Sequence, residues 1–211
     1  MSQYKTAKEQ LNLIKRLKAI SDTGLVYAND DYDRERYEEL GQISLSLMGH
    51  MSNAPLEVLQ DFFIPQKDYP TVKVDVRGFV LNEKDEILMA QEGIDEKWSI
   101  PGGWADIGNT PSMVAVREIE EETGIQTKAV RLLGVYDKQV HQHPPEPFYV
   151  YKLFFLCKII GGELKAGFDM LDARFFSLNK LPELSEQRIL ESQLKDLFNR
   201  VKSEESETYF D

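Results

Sequence analysis

The chain has 211 residues, of which 42% are hydrophobic and 29% are charged, proportions typical of a soluble globular protein. Its formal charge of −11 repels phosphate backbones and anionic lipid, and no basic run reverses it locally, which argues against binding to membranes or long nucleic acids. The single cysteine, Cys157, cannot form an internal disulfide, and nothing resembles a signal sequence or a membrane span. We therefore expect a cytoplasmic protein with Cys157 in its core.

The first seventy residues have the pattern of helices. Apolar residues recur at helical spacing over residues 5–21, and a second helix, with acids in its first turns, is predicted over 31–51. A shorter third helix is predicted over 55–63. Pro65 and Pro70 then break the pattern and indicate a linker.

After Pro70 the hydrophobic period changes from helical to alternating. Val72, Val74 and Val76 alternate with polar residues, which predicts a half-buried strand. The tail, 203–211, is expected to be frayed. Further strands are predicted over 86–91, 129–136, 148–159 and 173–176, and helices over 111–123 and 186–201, the latter capped by Ser185.

These elements predict two domains. Residues 1–68 should form a small all-helical domain, which is too small to bury much apolar area alone. Residues 69–211 should form an α+β domain with a mixed sheet and a C-terminal helix.

Glutamates on the helix predicted over 111–123 carry the chemistry. Glu118, Glu121 and Glu122 stand at i, i+3 and i+4, so their carboxylates should share one face. Like charges so placed are destabilising unless a cation lies between them, and Mg²⁺ or Mn²⁺ prefers such oxygen ligands. A solvated acidic face is the alternative. The preceding Pro-Gly-Gly loop favours a metal site, to which the Gly102 carbonyl would contribute.

These residues resemble the Nudix box, which is Gly, five residues, Glu, seven residues, then Arg-Glu-aliphatic-x-Glu-Glu-x-Gly-aliphatic. Gly103 matches the first position, and the run from Arg117 to Ile125 matches the whole second half at the correct spacing. Asn109 replaces the first glutamate; its amide brings no charge, so one metal would be bound more weakly. The resemblance covers residues 72–181.

The resemblance implies a Nudix-type α/β/α sandwich and metal-dependent hydrolysis of a diphosphate. It implies that Glu118, Glu121 and Glu122 bind metal and that Arg117 orients Glu118 or its neighbours. Glu118 is one candidate for the general base. Relatives often use an acid from a later loop, where this chain has Asp169 and Asp172.

Other positions have both a functional and a structural interpretation. Arg77 would contact the diphosphate or form a structural ion pair, and His141 and His143 would contact substrate or be inert loop residues. Trp104 flanks the glycine loop and is a candidate substrate contact, whereas Trp98 is expected to pack against other residues. Glu92, before the loop, is a candidate to assist the metal site.

The helical front followed by this box resembles a bacterial Nudix subgroup that hydrolyses nucleoside diphosphates linked to another moiety and forms homodimers. Within it the resemblance is to CDP-choline pyrophosphatases, which yield CMP and phosphocholine. ADP-ribose is the second candidate substrate. An RNA-end hydrolase or 3′–5′ exonuclease and a non-catalytic nucleotide sensor stay open as alternatives.

Overall fold

The computed structural model describes residues 3–52, 69–203 and 207–211, with side chains from residue 9 onward in the first helix. The chain divides into two compact units. One comprises Met1–Val72 with Pro145–Phe148, and the other comprises Lys73–Pro144 with Tyr149–Asp211. No helix within the described ranges is both long and apolar enough to cross a membrane.

The first unit contains helices α1, Gln3–Tyr27, and α2, Asp31–Ser52. Both predicted helices are present, but α1 continues six residues past its predicted end at residue 21. A Cβ at Gly24 would lie 2.3 Å from the ring of Tyr37, so this glycine lets α2 approach closely and packing outweighs its weak helix propensity. The two helices enclose a small core of Ile14, Leu45 and Met48. The third predicted helix, 55–63, lies outside the described residues.

The second unit is built on two sheets. The strands are β1 Lys73–Val80, β2 Ile87–Glu92, β3 Trp98–Ser99, β4 Gly102–Trp104, β5 Ile125–Asp137, β6 Val150–Gly162, β7 Met170–Phe176 and β8 Tyr209–Phe210; the helices are α3 Pro111–Thr123 and α4 Glu191–Lys202. Strands β4-β1-β6-β5-β8 form a mixed sheet, in which β1 is parallel to β6, and β3-β2-β7 form an antiparallel sheet.

A hydrophobic core lies on each face of the five-stranded sheet. On one face α3 packs through Ile119 against a cluster that includes Cys157, which is buried as expected. A Cβ at Gly78 would lie 2.4 Å from Ile119, so glycine is needed for this helix to approach the sheet. On the other face Phe154 belongs to a cluster with the second sheet and α4. The α+β fold with a mixed sheet is therefore confirmed.

Strand β1 corrects one expectation. Alternation predicted a half-buried strand with a polar outer face, but residues 75–80 are all buried. The strand is covered on both sides because α3 packs over one face and the second sheet over the other. Asp75 and Arg77 are therefore interior, which bears directly on the site described below.

The C-terminal segment differs from the prediction in two ways. Helix α4 begins after Leu190, because the Ser185 hydroxyl donates to Asp95 Oδ2 at 2.6 Å and does not cap a helix. Gln193 Oε1 accepts from the Leu190 N–H instead, at 3.2 Å. The tail ends in strand β8, which pairs with β5, and Asp211 accepts a hydrogen bond from the Asp137 N–H at 2.6 Å.

Candidate active site

Helix α3 begins and ends where its capping residues predict. The Thr110 hydroxyl accepts a hydrogen bond from the Met113 N–H at 3.3 Å, and Pro111 occupies the first turn. Gly124 ends the helix with φ 71°, and its N–H donates to the Glu120 carbonyl at 2.8 Å. These caps fix the rotation of the helix and hence the direction of its glutamates.

The glycine loop lies directly against two of those glutamates. A Cβ at Gly103 would lie 3.0 Å from Glu118 Oε2, and the Gly102 N–H points to Glu122 Oε2 at 3.4 Å. Gly102 has φ 151°, and a Cβ there would lie 2.2 Å from the Val76 carbonyl. Only glycine fits this position, so the loop's composition follows from how closely it approaches β1 and α3.

The three box glutamates face unequal surroundings. Glu122 is 7% exposed, the Glu118 side chain is 16% exposed and the Glu121 side chain is 62% exposed. The helix face that these glutamates share therefore runs from the protein interior at Glu122 to solvent at Glu121. Glu121 lies at the edge, with Oε1 3.8 Å from Arg117 Nε.

Arg117 contacts Glu118, as the resemblance implied. Its Nη2 donates to Glu118 Oε1 at 2.8 Å and also to Asp106 Oδ2 at 2.8 Å, a partner that the sequence did not indicate. Hydrogen bonds to Glu118 and Asp106 raise the pKa of Arg117 above its usual range. The guanidinium therefore holds Glu118 from one side while Gly103 borders it on the other.

Glu122 is the most perturbed acid of the site. Burial raises its pKa to about 8, the negative charges of Glu92 and Glu118 act in the same direction, and Arg77 opposes them. A buried carboxylate facing two further acids is an environment that a cation would relieve. This arrangement fits a divalent metal bound through oxygen.

The carboxylates do not form a closed metal cage. Within the described ranges, no group of three or more His, Cys, Asp and Glu side chains is arranged to hold a metal ion by itself. Glu118 is turned toward Arg117, and Glu122 toward the Gly102 N–H. Mg²⁺ usually takes only one or two carboxylates and completes its shell with water and substrate phosphate, so an open donor set suits it.

Three buried charges lie beside the loop. The Asp75 carboxylate accepts from Arg77 Nε at 3.0 Å and is hydrogen bonded to Lys152 Nζ, which faces it across the β1–β6 pairing. Burial alone would raise the pKa of Asp75, but Arg77 and Lys152 outweigh it and lower it to about 2. Burial lowers the pKa of Lys152 to about 8.

The structure favours the structural interpretation of Arg77 over a substrate contact. Its Nη1 donates to the Ile100 carbonyl at 3.1 Å, so the guanidinium is bonded both to Asp75 and to the strand segment before the glycine loop. Sequence analysis did not identify Asp75 and Lys152. The available signal was Lys152 itself, a charge at an inward position of the apolar run Val150–Phe155.

The two loop histidines lie in different surroundings. His143 is buried, with Nδ1 2.6 Å from the Glu186 carbonyl, a position that argues against direct substrate contact. Burial lowers its pKa to about 3, so the ring is neutral and Nδ1 carries the donated proton. His141 is partly exposed, with Nε2 3.1 Å from Asp211 Oδ2.

The buried neutral His143 should make stability fall in mild acid. The unfolded chain binds a proton at this residue below a pKa of about 6.5, whereas the folded protein does so only near 3, so stability is full above 6.5 and declines as the pH falls toward 3. We expect a loss of about 2 kcal/mol in the free energy of unfolding between pH 8 and pH 5 from this residue. Urea titrations of wild type and His143→Asn, whose amide can replace Nδ1–H, should show this loss only in wild type.

The remaining candidates differ in their exposure to solvent. Trp104 is 49% exposed with Lys73 Nζ 5.4 Å from its ring centroid, whereas Trp98 is buried against Phe176 as expected. Asp169 lies in an exposed turn, and a Cβ at Gly93 would be 2.8 Å from its carbonyl. Asn109 is half-buried in the turn before α3, and Glu92 is buried at the end of β2.

A family model described as the NUDIX domain matches residues 71–197. The chain belongs to the Nudix family. It is a Nudix pyrophosphohydrolase by this match and by its relatives. A second model, described as a UDP-X-like N-terminal oligomerisation domain, matches residues 8–63.

Two relatives resemble the Nudix chain over nearly its whole length, and a third resembles two thirds of it. The Bacillus subtilis protein YjhB, whose naming as an ADP-ribose pyrophosphatase is itself provisional, is 42% identical over 207 residues, covering 98% of this chain and 99% of YjhB. A crystal structure of a UDP-X diphosphatase is 31% identical with a TM-score of 0.63, covering 97% and 99%. An ADP-ribose pyrophosphatase structure from Streptococcus suis is 37% identical with a TM-score of 0.60, covering 67% of this chain and 100% of that one.

Proposed function

We propose that this Nudix enzyme hydrolyses the diphosphate of a nucleoside diphosphate linked to a second moiety, with Mg²⁺ or Mn²⁺ as the cofactor. The observation that carries the proposal is the placement of Glu118 and the buried Glu122 against Gly103 and Gly102. A negatively charged protein needs cations between its acids and a diphosphate, and this is where its acids converge.

The proposed roles follow from burial and contacts. Glu118, Glu122 and the Gly102 carbonyl would hold the divalent ion, with Glu121 joining from the solvent edge. A bound divalent cation neutralises charge on the diphosphate and activates water for attack on phosphorus. Arg117 keeps the Glu118 carboxylate oriented through their 2.8 Å bond. For the general base, Glu118 and Asp169 both stay candidates, the latter from its turn beside Gly93.

ADP-ribose is the substrate that we place first. Its support is the naming of YjhB and of the S. suis protein. CDP-choline, the substrate favoured by the sequence resemblance, stays a prediction, and the UDP-X diphosphatase structure supports the wider class of linked nucleoside diphosphates. Trp104 and His141 stay proposed substrate contacts because both side chains reach the surface.

A substrate panel tests the proposal. Purified protein with Mg²⁺ or Mn²⁺ is incubated with ADP-ribose, CDP-choline, UDP-sugars, nucleoside triphosphates and a short 5′-capped RNA, and products are resolved by chromatography. We expect ADP-ribose to give AMP and ribose 5-phosphate with the highest kcat/KM. A preference for CDP-choline would replace ADP-ribose as the substrate and leave the proposed class, linked nucleoside diphosphates, unchanged. RNA as the preferred substrate, or binding without turnover, would contradict the proposal in favour of the RNA-end hydrolase or the sensor.

We also propose that the helical unit forms a homodimer. On α1 the residues Leu13, Leu17 and Ile20 form an exposed apolar stripe at helical spacing, and on α2 Ile43, Leu47 and Met51 form another. Monomeric proteins rarely leave contiguous apolar faces uncovered, and the oligomerisation-domain match spans both stripes. A second copy of this chain is the proposed partner.

Charges placed on the α1 stripe should separate the subunits. The double variant Leu13→Asp, Ile20→Asp should sediment as a monomer at micromolar concentration, because two carboxylates per subunit would lose their water on association. Ile160→Asp, at an equally exposed apolar residue of the other unit, is the matched control and should stay dimeric. A wild-type protein that sediments as a monomer would contradict the homodimer.

A further inference from the structure

Three apolar side chains are exposed on two loops beside the end of α3. Ile94 lies in the turn between β2 and β3, Phe168 lies in the turn before β7, and Leu171 lies at the start of β7. Ile94 and Phe168 are almost wholly exposed, and Leu171 is more than half exposed. We call these three residues the Phe168 patch. Single exposed apolar residues are common on protein surfaces, whereas a group of them on adjoining loops is typical of a binding site.

The two loops touch behind the Phe168 patch. A Cβ at Gly93 would lie 2.8 Å from the Asp169 carbonyl, and these two residues directly adjoin Ile94 and Phe168 in the chain. The β2–β7 register shifts at Leu171, which bulges out of the ladder. Bulges are frequent beside active sites, where they change the direction of a side chain. The three apolar residues therefore come from one junction between the loops.

The turn that carries Phe168 is fixed to the helix of the box glutamates. The Gly167 N–H donates to the Glu122 carbonyl at 2.9 Å, and a Cβ at Gly167 would overlap the Glu121 carbonyl. The turn itself closes through the Met170 N–H, which donates to the Gly167 carbonyl at 3.3 Å. Phe168 is therefore one residue away from a backbone contact with the helix whose glutamates would hold the diphosphate.

A nucleobase is the ligand that suits the Phe168 patch. Once the diphosphate lies against the box glutamates, the two groups attached to it must lie on the surfaces around them. Bases stack on aromatic side chains through their flat faces, and they gain from contact with aliphatic residues as well. The second moiety of ADP-ribose or CDP-choline is polar or charged, and it would lose water on an apolar surface without a compensating hydrogen bond. The patch therefore fits the base better than the second moiety.

We propose that Phe168 is a specificity-determining residue that stacks on the base of the linked nucleotide, with Ile94 and Leu171 packing around that base. Such contact would remove from water the apolar surface that the free protein exposes. The inference rests on the proposed hydrolysis of a linked nucleoside diphosphate, and it names the residues that recognise the nucleoside end. It holds for adenine, cytosine or uracil, because every base has a face that can stack.

The test compares Phe168→Ser with Phe168→Tyr and with the control variant Phe210→Ser. Binding of AMP, CMP, UMP and ribose 5-phosphate is measured by calorimetry with Mg²⁺ present, and kcat and KM are measured with the best substrate of the panel. We expect Phe168→Ser to weaken binding of the preferred nucleoside monophosphate by about 10-fold and to raise KM similarly, with a smaller change in kcat. Ribose 5-phosphate has no base, so its affinity should stay at the wild-type value.

The two other variants separate stacking from a general effect of the substitution. Phe168→Tyr keeps an aromatic ring and should stay close to wild type in affinity and KM. Phe210→Ser removes another exposed phenylalanine ring of the same unit, on β8, and should leave both unchanged. Because Phe168 is exposed, its replacement by serine should not unfold the protein.

Three results would overturn the inference. The first is a Phe168→Ser enzyme with wild-type nucleotide affinity and KM. The second is an equal loss of affinity for ribose 5-phosphate, because a ligand without a base cannot stack. The third is a weaker dimer on sedimentation with unchanged nucleotide binding, since a second copy of the chain would then cover the patch. A wild type that binds nucleotides through Phe168 but hydrolyses nothing in the panel would support the inference and count against the proposed function.

Discussion

Glu122→Gln should lower kcat about 1000-fold with Mg²⁺ while leaving the fold intact. The variant keeps the side chain's size but removes the buried carboxylate that faces the Gly102 N–H at 3.4 Å. Charge stabilisation by a metal in the transition state is worth several kcal/mol, and roughly 4 kcal/mol corresponds to that loss of rate. Steady-state kinetics on the preferred panel substrate measure it.

The fold of this variant provides an internal check. Burial raises the pKa of Glu122 to about 8, so at pH 7 the metal-free folded protein keeps this proton, whereas the unfolded chain, with a pKa of 4.5 at this residue, releases it and is thereby favoured. Metal-free Glu122→Gln should therefore melt no lower than wild type at pH 7. Glu120→Gln is the matched control, because Glu120 is exposed and bonded to Gln126, and it should keep wild-type kcat. A Glu122→Gln enzyme with full turnover would contradict the catalytic assignment.

Asp75→Asn should destabilise the second unit by about 3 kcal/mol. The substitution removes the charge that Arg77 and Lys152 share, and both cations are buried. Leaving a buried charge without its partner is strongly unfavourable, although Lys152, whose pKa is already lowered to about 8, can release its proton and limit the loss. Urea titration followed by the fluorescence of Trp98 and Trp104 reports on this unit.

Two further variants separate burial from ion pairing. Asp172→Asn breaks an ion pair with Arg174 that is largely exposed, and should change stability by less than about 1 kcal/mol. Asp75→Asn combined with Lys152→Met removes one of the stranded cations, and should be more stable than Asp75→Asn alone. An Asp75→Asn protein as stable as wild type would show that the buried charges do not hold β1 and β6 together.

The parts of the fold that local signals encode were predictable. Helix α3 has a hydroxyl cap, a proline in its first turn and a glycine at its end, and the structure matches its predicted bounds at Pro111 and Thr123. The placement of Glu118 near the glycine loop also followed from sequence, because helical spacing and the fixed gaps of the box constrain it. Neither prediction required knowledge of contacts between residues that are far apart in the sequence.

The rest depends on contacts between distant segments. Ser185 has the sequence of a helix cap, but Asp95, ninety residues earlier in the chain, takes its hydroxyl. Lys152 and Asp75 become partners only through the pairing of β1 with β6. The tail looked frayed because its residues are mostly acidic and polar, yet Tyr209 and Phe210 pair with β5. Tertiary pairing outweighed local composition in each case.

The difference in burial among the box glutamates was also beyond the sequence. Helical spacing places three carboxylates on one face, but it does not say how deep that face lies. Depth comes from the Gly167 segment, which crosses the end of α3 so closely that a Cβ at Gly167 would overlap the Glu121 carbonyl. This crossing and the glycine loop cover Glu122 and leave Glu121 in solvent.

The dependence of turnover on added metal tests the central claim most directly. Wild-type protein is stripped with a chelator, transferred to metal-free buffer, and assayed on its best panel substrate while Mg²⁺ or Mn²⁺ is titrated back. The account predicts no turnover in the stripped enzyme and full recovery, at saturating metal, of hydrolysis at the phosphoanhydride bond. Undiminished hydrolysis in the presence of excess chelator would contradict a metal site built on Glu118 and Glu122.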